Sequence, residues 1–183
     1  MKRFALILLA ILTVSVITGC NNGDDDDDGV KVDLTTVAGA FQALVDSWEE
    51  ADYEAYEKIF ADGFTFYFDQ LDIIDGAPES WGRAAELDAA SVIFENADAD
   101  DIELTLALPD DFTEPDGDTC NLNNLAYQIS VTVDDVTYEA EASCYLTLER
   151  SGDEWFFTQW IDLYSFLAGD CCTWGGIKYQ LGT

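Results

Sequence analysis

Hydrophobic positions in this chain follow three regimes. The first is a predominantly apolar stretch from Phe4 to Ile17, preceded by Lys2 and Arg3 and followed by Thr18, Gly19 and Cys20. A basic start, a short apolar core and small residues at its end describe an export signal. The stretch is shorter than the roughly 20 apolar residues that a membrane-spanning helix needs. In the second regime the spacing is helical. Val37, Phe41, Leu44, Val45 and Trp48 predict a helix from about Thr35 to Glu50. Asp52 is placed to cap a second, short helix containing Tyr53, Tyr56, Ile59 and Phe60. Gly63 then breaks the pattern, and Phe64, Phe66 and Phe68 alternate with Thr65, Tyr67 and Asp69 as in a strand. Ser80 is the expected cap of a third helix. Its apolar stripe is Trp81, Ala84, Ala85, Val92 and Phe94, and Glu86 and Asp88 lie on its exposed side.

The third regime alternates with period two. Ile102, Leu104, Leu106 and Leu108 form a half-buried strand ended by Pro109, and residues 110–124 read as a long acidic loop. Tyr127, Ile129, Val131 and Val133 alternate in the next strand, and Asp134-Asp135 makes a tight turn. Tyr138, Ala140, Ala142, Cys144, Leu146 and Leu148 share one face of the following strand, with Glu139, Glu141 and Glu149 on the other. Ser151-Gly152-Asp153 turns the chain into a last long strand from Trp155 to Leu163. The remainder, from Leu167 to Thr183, reads as a tail with a turn at Gly175-Gly176. Helices followed by a run of antiparallel strands give an α+β class. Long strands joined by tight turns twist strongly, so the expected shape is a cone: N-terminal helices packed on a strongly curved antiparallel sheet.

Charge narrows the function. The chain has 38 acidic and 7 basic residues and no His. Once residues 1–19 are removed, Lys2 and Arg3 are lost, which leaves five basic residues against 38 acidic and a net charge of −33. Nucleic acid is not an expected partner, since binding it needs clustered Lys and Arg. The run Asp24 to Asp28 cannot bury apolar area and repels itself, so residues 20–32 are expected to be an extended linker. Residues 33–183 are expected to be one cone-shaped domain with a C-terminal tail.

Small residues followed directly by Cys20 resemble the lipobox of bacterial lipoproteins. The resemblance implies that Cys20 is lipidated, becomes the first mature residue, and ties the domain to a bilayer. The location expected from it is the bacterial cell envelope, either the periplasm-facing outer membrane or the cell surface. Cys120, Cys144, Cys171 and Cys172 in an exported chain suggest disulfides, with three connectivities open. If Asp134-Asp135 is a two-residue turn, Cys144 lies opposite Leu125 and close enough to Cys120 for that pair to bond. No metal site is expected, because His is absent and the Cys spacings lack paired C-x-x-C knuckles.

The opening Phe41, Trp48, Asp52-Tyr53 and Phe60, the strand Gly63 to Tyr67, and the closing Gly152-Asp153-Glu154-Trp155 to Asp162 resemble nuclear transport factor 2-like domains. These include the SnoaL-like and ketosteroid-isomerase-like groups. The resemblance covers about residues 33 to 165 and implies the cone-shaped, cystatin-like fold. Enzymes of this kind carry acid–base groups inside the cone, often an Asp with a His. Without His, only a carboxylate with a Tyr is available here. The candidates are Asp69 and Asp162, which close the first and last strands, with Tyr67, Tyr127 or Tyr145 beside them. Trp81, Trp155 and Trp160, with Tyr127 and Tyr145, are candidates for lining an apolar ligand pocket. By strict alternation Asp162 shares a face with Phe156, Thr158 and Trp160. No cofactor is implied. Three functions stay open: a non-catalytic domain binding a small apolar ligand or an envelope partner, placed first; a cofactor-free lyase or isomerase using Asp and Tyr; and a purely structural envelope protein. The oligomeric state is left open by the sequence.

Overall fold

The computed structural model describes residues 29–164 and 173–182. The stretch expected to be an export signal, Cys20, the Asp24–Asp28 run, Cys171 and Cys172 lie outside the described residues.

Helix α1 (Val37–Glu49) begins where Thr36, in extended backbone, accepts the N–H of Gly39 through its side chain. The carboxylate of Glu114 accepts the next two free donors, Val37 N at 3.0 Å and Ala38 N at 2.9 Å. A negative charge on the first turn of a helix complements its dipole. This residue of the acidic segment therefore has a structural partner. Val37, Phe41, Leu44, Val45 and Trp48 all turn inward, as their spacing predicts. Asp52 caps α2 (Tyr53–Lys58) by accepting Ala55 N at 2.9 Å. The helix ends sooner than expected: Phe60 already starts strand β1 (Phe60–Tyr67). Phe64, Phe66 and Phe68 are buried, as the alternation requires.

Beyond β1 come α3 (Gln70–Ile74), β2 (Ser80–Gly82) and α4 (Arg83–Asn96). Ser80 thus belongs to a strand, and Gly82 stands at the start of α4 without a side-chain cap. The buried stripe of α4 also differs from expectation. Glu86, Ala90 and Ile93 face inward with Ala97 just beyond the helix, a spacing of four, three and four, whereas Val92 is exposed. Glu86 belongs to the core stripe because partners for its carboxylate wait there.

After a short 3-10 turn (Ala99–Asp101), strands β3 (Ile102–Leu106), β4 (Thr119–Val133), β5 (Val136–Ser151) and β6 (Glu154–Tyr164) complete a six-stranded sheet of order β2-β1-β6-β5-β4-β3. All neighbours are antiparallel except β1 and β6, which run parallel. β4 starts at Thr119, inside the expected acidic loop, because Cys120 and Leu122 continue the inward alternation through the Asn-rich run. The β4–β5 turn has positive φ at both Asp134 and Asp135, 52° and 63°, the twist that a two-residue hairpin favours. It places Cys144 opposite Leu125 as predicted.

The expected Cys120–Cys144 bond does not form. Cys120 lies five residues before Leu125 on the same strand, and even with the register shift between Leu122 and Leu125 it pairs with Leu148, four residues along β5 from Cys144. At about 3.4 Å per residue that is about 14 Å of strand, beyond the roughly 4.4–6.8 Å between bridged Cα atoms. Both thiols are free and buried. The tail also departs from expectation. Residues Trp174–Gly182 form a helix, α5, in which Gly175 and Gly176 are helical rather than a turn.

Candidate functional site

The interior of the cone lies between α1, α4 and the inner face of the sheet, and α5 runs into it. Its position begins with an irregularity in β6. Leu148 pairs with Phe157 but Thr147 pairs with Gln159, so Thr158 is an extra residue in the ladder. A bulge of one residue reverses the alternation beyond it. Trp155 and Phe157 point inward before the bulge, and Trp160 and Asp162 point inward after it. Strict alternation had grouped Asp162 with Phe156 and Thr158; the bulge removes it from that set and buries it at 1% exposure.

Inside, Asp162 accepts the hydroxyl proton of Tyr127 at 2.6 Å and the backbone N–H of Gly175 at 2.6 Å. The Tyr127 oxygen in turn accepts Trp174 N at 2.8 Å. Burial pushes the Asp162 carboxyl up to about 6, against the opposing pull of the Tyr127 and Gly175 hydrogen bonds and the Lys178 charge. Burial, then the Asp162 charge, lifts the Tyr127 phenol well above its usual range. A carboxyl so tuned could hold or pass a proton near neutral pH, while the phenol beside it keeps its own and acts as a hydrogen-bond donor.

A second cluster sits beside the first. Glu86 accepts from Lys178 Nζ at 2.7 Å, from the Tyr56 hydroxyl at 2.5 Å and from Trp81 Nε1 at 2.8 Å. Lys178 and Glu86 are both fully buried. The ammonium also lies 3.8 Å from the centre of the Phe66 ring and 4.5 Å from that of Trp160. These aromatic faces replace part of its lost hydration. Burial lowers the Lys178 pKa, and the Glu86 carboxylate opposes that shift. Burial likewise lifts the Tyr56 phenol, with the Glu86 charge adding to it. At the mouth, Thr173 donates to Asp72 at 2.5 Å and accepts Gly176 N at 3.1 Å, which fixes the first turn of α5.

α5 is seated closely. A methyl group on Gly175 would come within 2.8 Å of Phe66 Cε1 and 2.9 Å of its Cζ, so only glycine lets the helix approach β1. Trp174 stacks edge-on against Trp160, at 4.6 Å, and against Trp48, at 4.9 Å. The residues Trp174, Ile177 and Lys178 are fully buried. The space above Asp162 and Tyr127 is therefore filled by the chain itself, and the first backbone N–H groups of α5 sit on the two acidic groups.

The structure gathers Asp162, Tyr127 and Trp160 in the interior, with half-buried Trp81 at its edge. The other candidates lie outside this cluster. Asp69 is a cap: it accepts Leu71 N at 2.8 Å at the start of α3 and Tyr164 N at 3.1 Å. Tyr67 and Tyr145 lie on the outer face of the sheet, 39% and 38% exposed. Trp155 is core, and its backbone N–H donates to the Leu34 carbonyl at 2.7 Å. Sequence reasoning missed Glu86, Tyr56 and Lys178. Lys178 had one available signal: a rare cation two and three residues after the glycines Gly176 and Gly175.

No family model matches the chain, and no curated protein matches it. Solved structures do. An NTF2-like protein with a cystatin-like fold from Novosphingobium aromaticivorans superposes with a TM-score of 0.52 at 15% identity, over 73% of this chain and 82% of that one. The chain adopts the nuclear transport factor 2-like fold. A candidate dehydratase of the nuclear transport factor 2-like family from Streptomyces avermitilis superposes with a TM-score of 0.52 at 17% identity, over 72% and 95% of the two chains. A candidate aromatic ring hydroxylase, also from N. aromaticivorans, gives 0.58 at 13%, over 78% and 94%. At these identities the likeness concerns the fold, and a nuclear transport factor 2-like domain does not by itself specify a reaction.

Proposed function

We propose that this chain is a lipid-anchored protein of the bacterial cell envelope whose nuclear transport factor 2-like domain is non-catalytic and works by binding an envelope partner through its outer surface. One observation carries the non-catalytic part: α5 occupies the cone and its Trp174 and Gly175 N–H groups take the lone pairs of Tyr127 and Asp162 that a substrate would need. The anchoring part rests on the export pattern ending at Cys20, and the stretch of Asp residues after it serves as a spacer from the bilayer. Mass spectrometry of the mature protein tests the anchor: an acylated N-terminal Cys20 is expected, and an unmodified N-terminus elsewhere refutes it. A thermal-shift screen of the native protein against lipophilic metabolites tests the domain, with no saturable shift expected.

A second reading is favoured by a different observation. Asp162 and Tyr127 are 2.6 Å apart with the carboxyl pushed up to about 6, and the indole N–H groups of Trp160 and Trp174 have no hydrogen-bond partner among the described residues. A ligand-binding cone, or a cofactor-free lyase or isomerase, would use such groups once α5 moved aside. A saturable thermal shift accompanied by a change in tryptophan fluorescence would support this reading over the first.

A further inference from the structure

The interior holds a cation that stability alone does not explain. Seven residues of the chain are basic against 38 acidic, and one of the seven, Lys178, is fully buried in the cone. Lysine is almost never buried so completely unless it is paired. Its partner Glu86 is buried to the same extent. The loss of hydration on burying two ions can outweigh their attraction, and apolar residues of similar volume often serve a core equally well. Such a pair invites a chemical explanation.

The two side chains are held as reactants are. Among the described residues the ammonium of Lys178, a triple donor, meets one polar acceptor, Glu86 Oε1 at 2.7 Å. Its other near neighbours are the rings of Phe66, Trp160 and Trp174, with centroids at 3.8, 4.5 and 5.8 Å. A carboxyl carbon lies about 1.2 Å beyond its oxygen, so Nζ is at most about 4 Å from Glu86 Cδ. Groups poised to react stand about 3–3.5 Å apart. The two oxygens of Glu86 are held differently. Oε1 accepts the Tyr56 hydroxyl at 2.5 Å as well as Lys178, whereas Oε2 accepts Trp81 Nε1 at 2.8 Å. Burial disfavours the charged form of Lys178, and the neutral amine is the nucleophile.

We propose that Lys178 and Glu86 condense into an amide, a covalent cross-link that fastens α5 to α4. One ammonium proton first passes along the 2.7 Å hydrogen bond to Oε1, leaving a free amine and a carboxylic acid. The amine lone pair then attacks Cδ. The Nζ–Cδ bond forms, and the electron pair of the C–O double bond moves onto Oε2. The Trp81 N–H is aimed at that oxygen and stabilises its charge as an oxyanion donor does. A second proton passes from Nζ to Oε1, the Cδ–Oε1 bond breaks, and Oε1 leaves as water. The Tyr56 hydroxyl, donating to Oε1, assists that departure. Nζ keeps the third proton as the amide N–H. No oxidant and no further reactant is required. In water such a condensation is opposed because it destroys two hydrated ions. Here burial has already removed the hydration, and groups held in place react with effective molarities of about 10⁵ M or more. The bond joins residues 92 apart in the chain, so α5 stays in the cone by covalent attachment as well as by packing. It rests on neither the lipid anchor nor the non-catalytic reading.

Tandem mass spectrometry of a tryptic digest of the native protein, reduced and denatured beforehand, reads the bond directly. Trypsin cuts after Lys and Arg, so an open chain releases residues 84–150, 151–178 and 179–183 as separate peptides. The cross-linked chain is expected to give one product in which 84–150 is joined to 151–183. It has two amino termini, weighs one water less than its two peptides together, and is uncut after Lys178, whose side chain is no longer a free amine. Release of 151–178 and 179–183 from the whole population overturns the inference. So does the loss of a water within 151–183 alone, which would join Lys178 to Asp162. Lys178→Met should give no linked product; if that variant fails to fold, the wild-type digest still decides. Trp81→Phe keeps a half-buried ring and removes the N–H. It should slow closure at least about tenfold, with linked product followed against time after cell-free synthesis of the full chain. An unchanged rate would overturn the placing of the developing charge on Oε2.

Discussion

The inner and outer faces of β6 lie on one strand and handle polarity in opposite ways. Inward, the strand places Asp162 beside Trp160, and the carboxylate is met by a phenol and a backbone N–H at 2.6 Å each. Outward, it places Gln159, Ile161 and Leu163, none of them charged. In most acidic proteins charge belongs outside and neutrality inside. Here the centre of the outer face is neutral, and the interior holds Asp162, Glu86 and Lys178. The difference shows which carboxylates are free to vary. Surface acids need only water, whereas a buried one is tolerated only where fixed donors replace that water.

The largest effect expected from breaking this contrast is at Lys178. Lys178→Met leaves Glu86 buried without its cation, and removing one member of a buried pair costs about 3–5 kcal/mol. Urea unfolding should show that loss, with part of it recovered in the Lys178→Met/Glu86→Gln double variant. A loss below about 1 kcal/mol would mean that the pair is solvated in solution.

Asp162 gives the next effect, and it depends on pH. Burial pushes its carboxyl from the ordinary 3.8 up to about 6, so the folded state binds the proton more tightly. That contribution to stability is full below about pH 3.8 and is lost as pH rises through 6. The cost of Asp162→Asn should therefore shrink between pH 4 and pH 7, by about 3 kcal/mol for a shift of roughly two units. A cost independent of pH would show that Asp162 is not the buried group described.

Gly175→Ala drives a methyl into Phe66 and should destabilise by about 1–3 kcal/mol, as overpacking does. A neutral result in thermal unfolding would mean that α5 is not seated in the cone. Glu114→Ala removes the carboxylate from the start of α1 and should cost about 1 kcal/mol, the usual worth of a helix cap. The smallest effect belongs to the outer face. Tyr67→Ser should change the stability of the isolated subunit by less than about 0.5 kcal/mol, in keeping with an exposed position. A larger loss would show that the side chain is covered within one subunit.

Much of the frame was legible in the pattern. The helical face of Val37 to Trp48, the cap at Asp52, the Phe64-Phe66-Phe68 stripe and the Asp134-Asp135 turn are local signals, each set by residues within a turn or two of one another. The bulge at Thr158 was not legible, because nothing in Phe156-Phe157-Thr158-Gln159 distinguishes a flat ladder from one with an extra residue. It alone determines that Asp162 faces Tyr127. Glu86 was assigned to solvent because a carboxylate on a helix usually belongs there. Its burial depends on Lys178, 92 residues away. Gly175-Gly176 suggested a turn because glycine is a weak helix former; packing against Phe66 overrides that propensity.

By itself, then, the sequence determined the elements, their faces and the acidic character, since these follow from short-range periodicity and composition. The tertiary structure decided what the cone contains. A C-terminal helix with a buried lysine fills it, and that outcome depends on the fit of Trp174, Gly175 and Lys178 against strands far away in the chain. Such fit is a matter of geometry between distant surfaces, which local pattern does not encode.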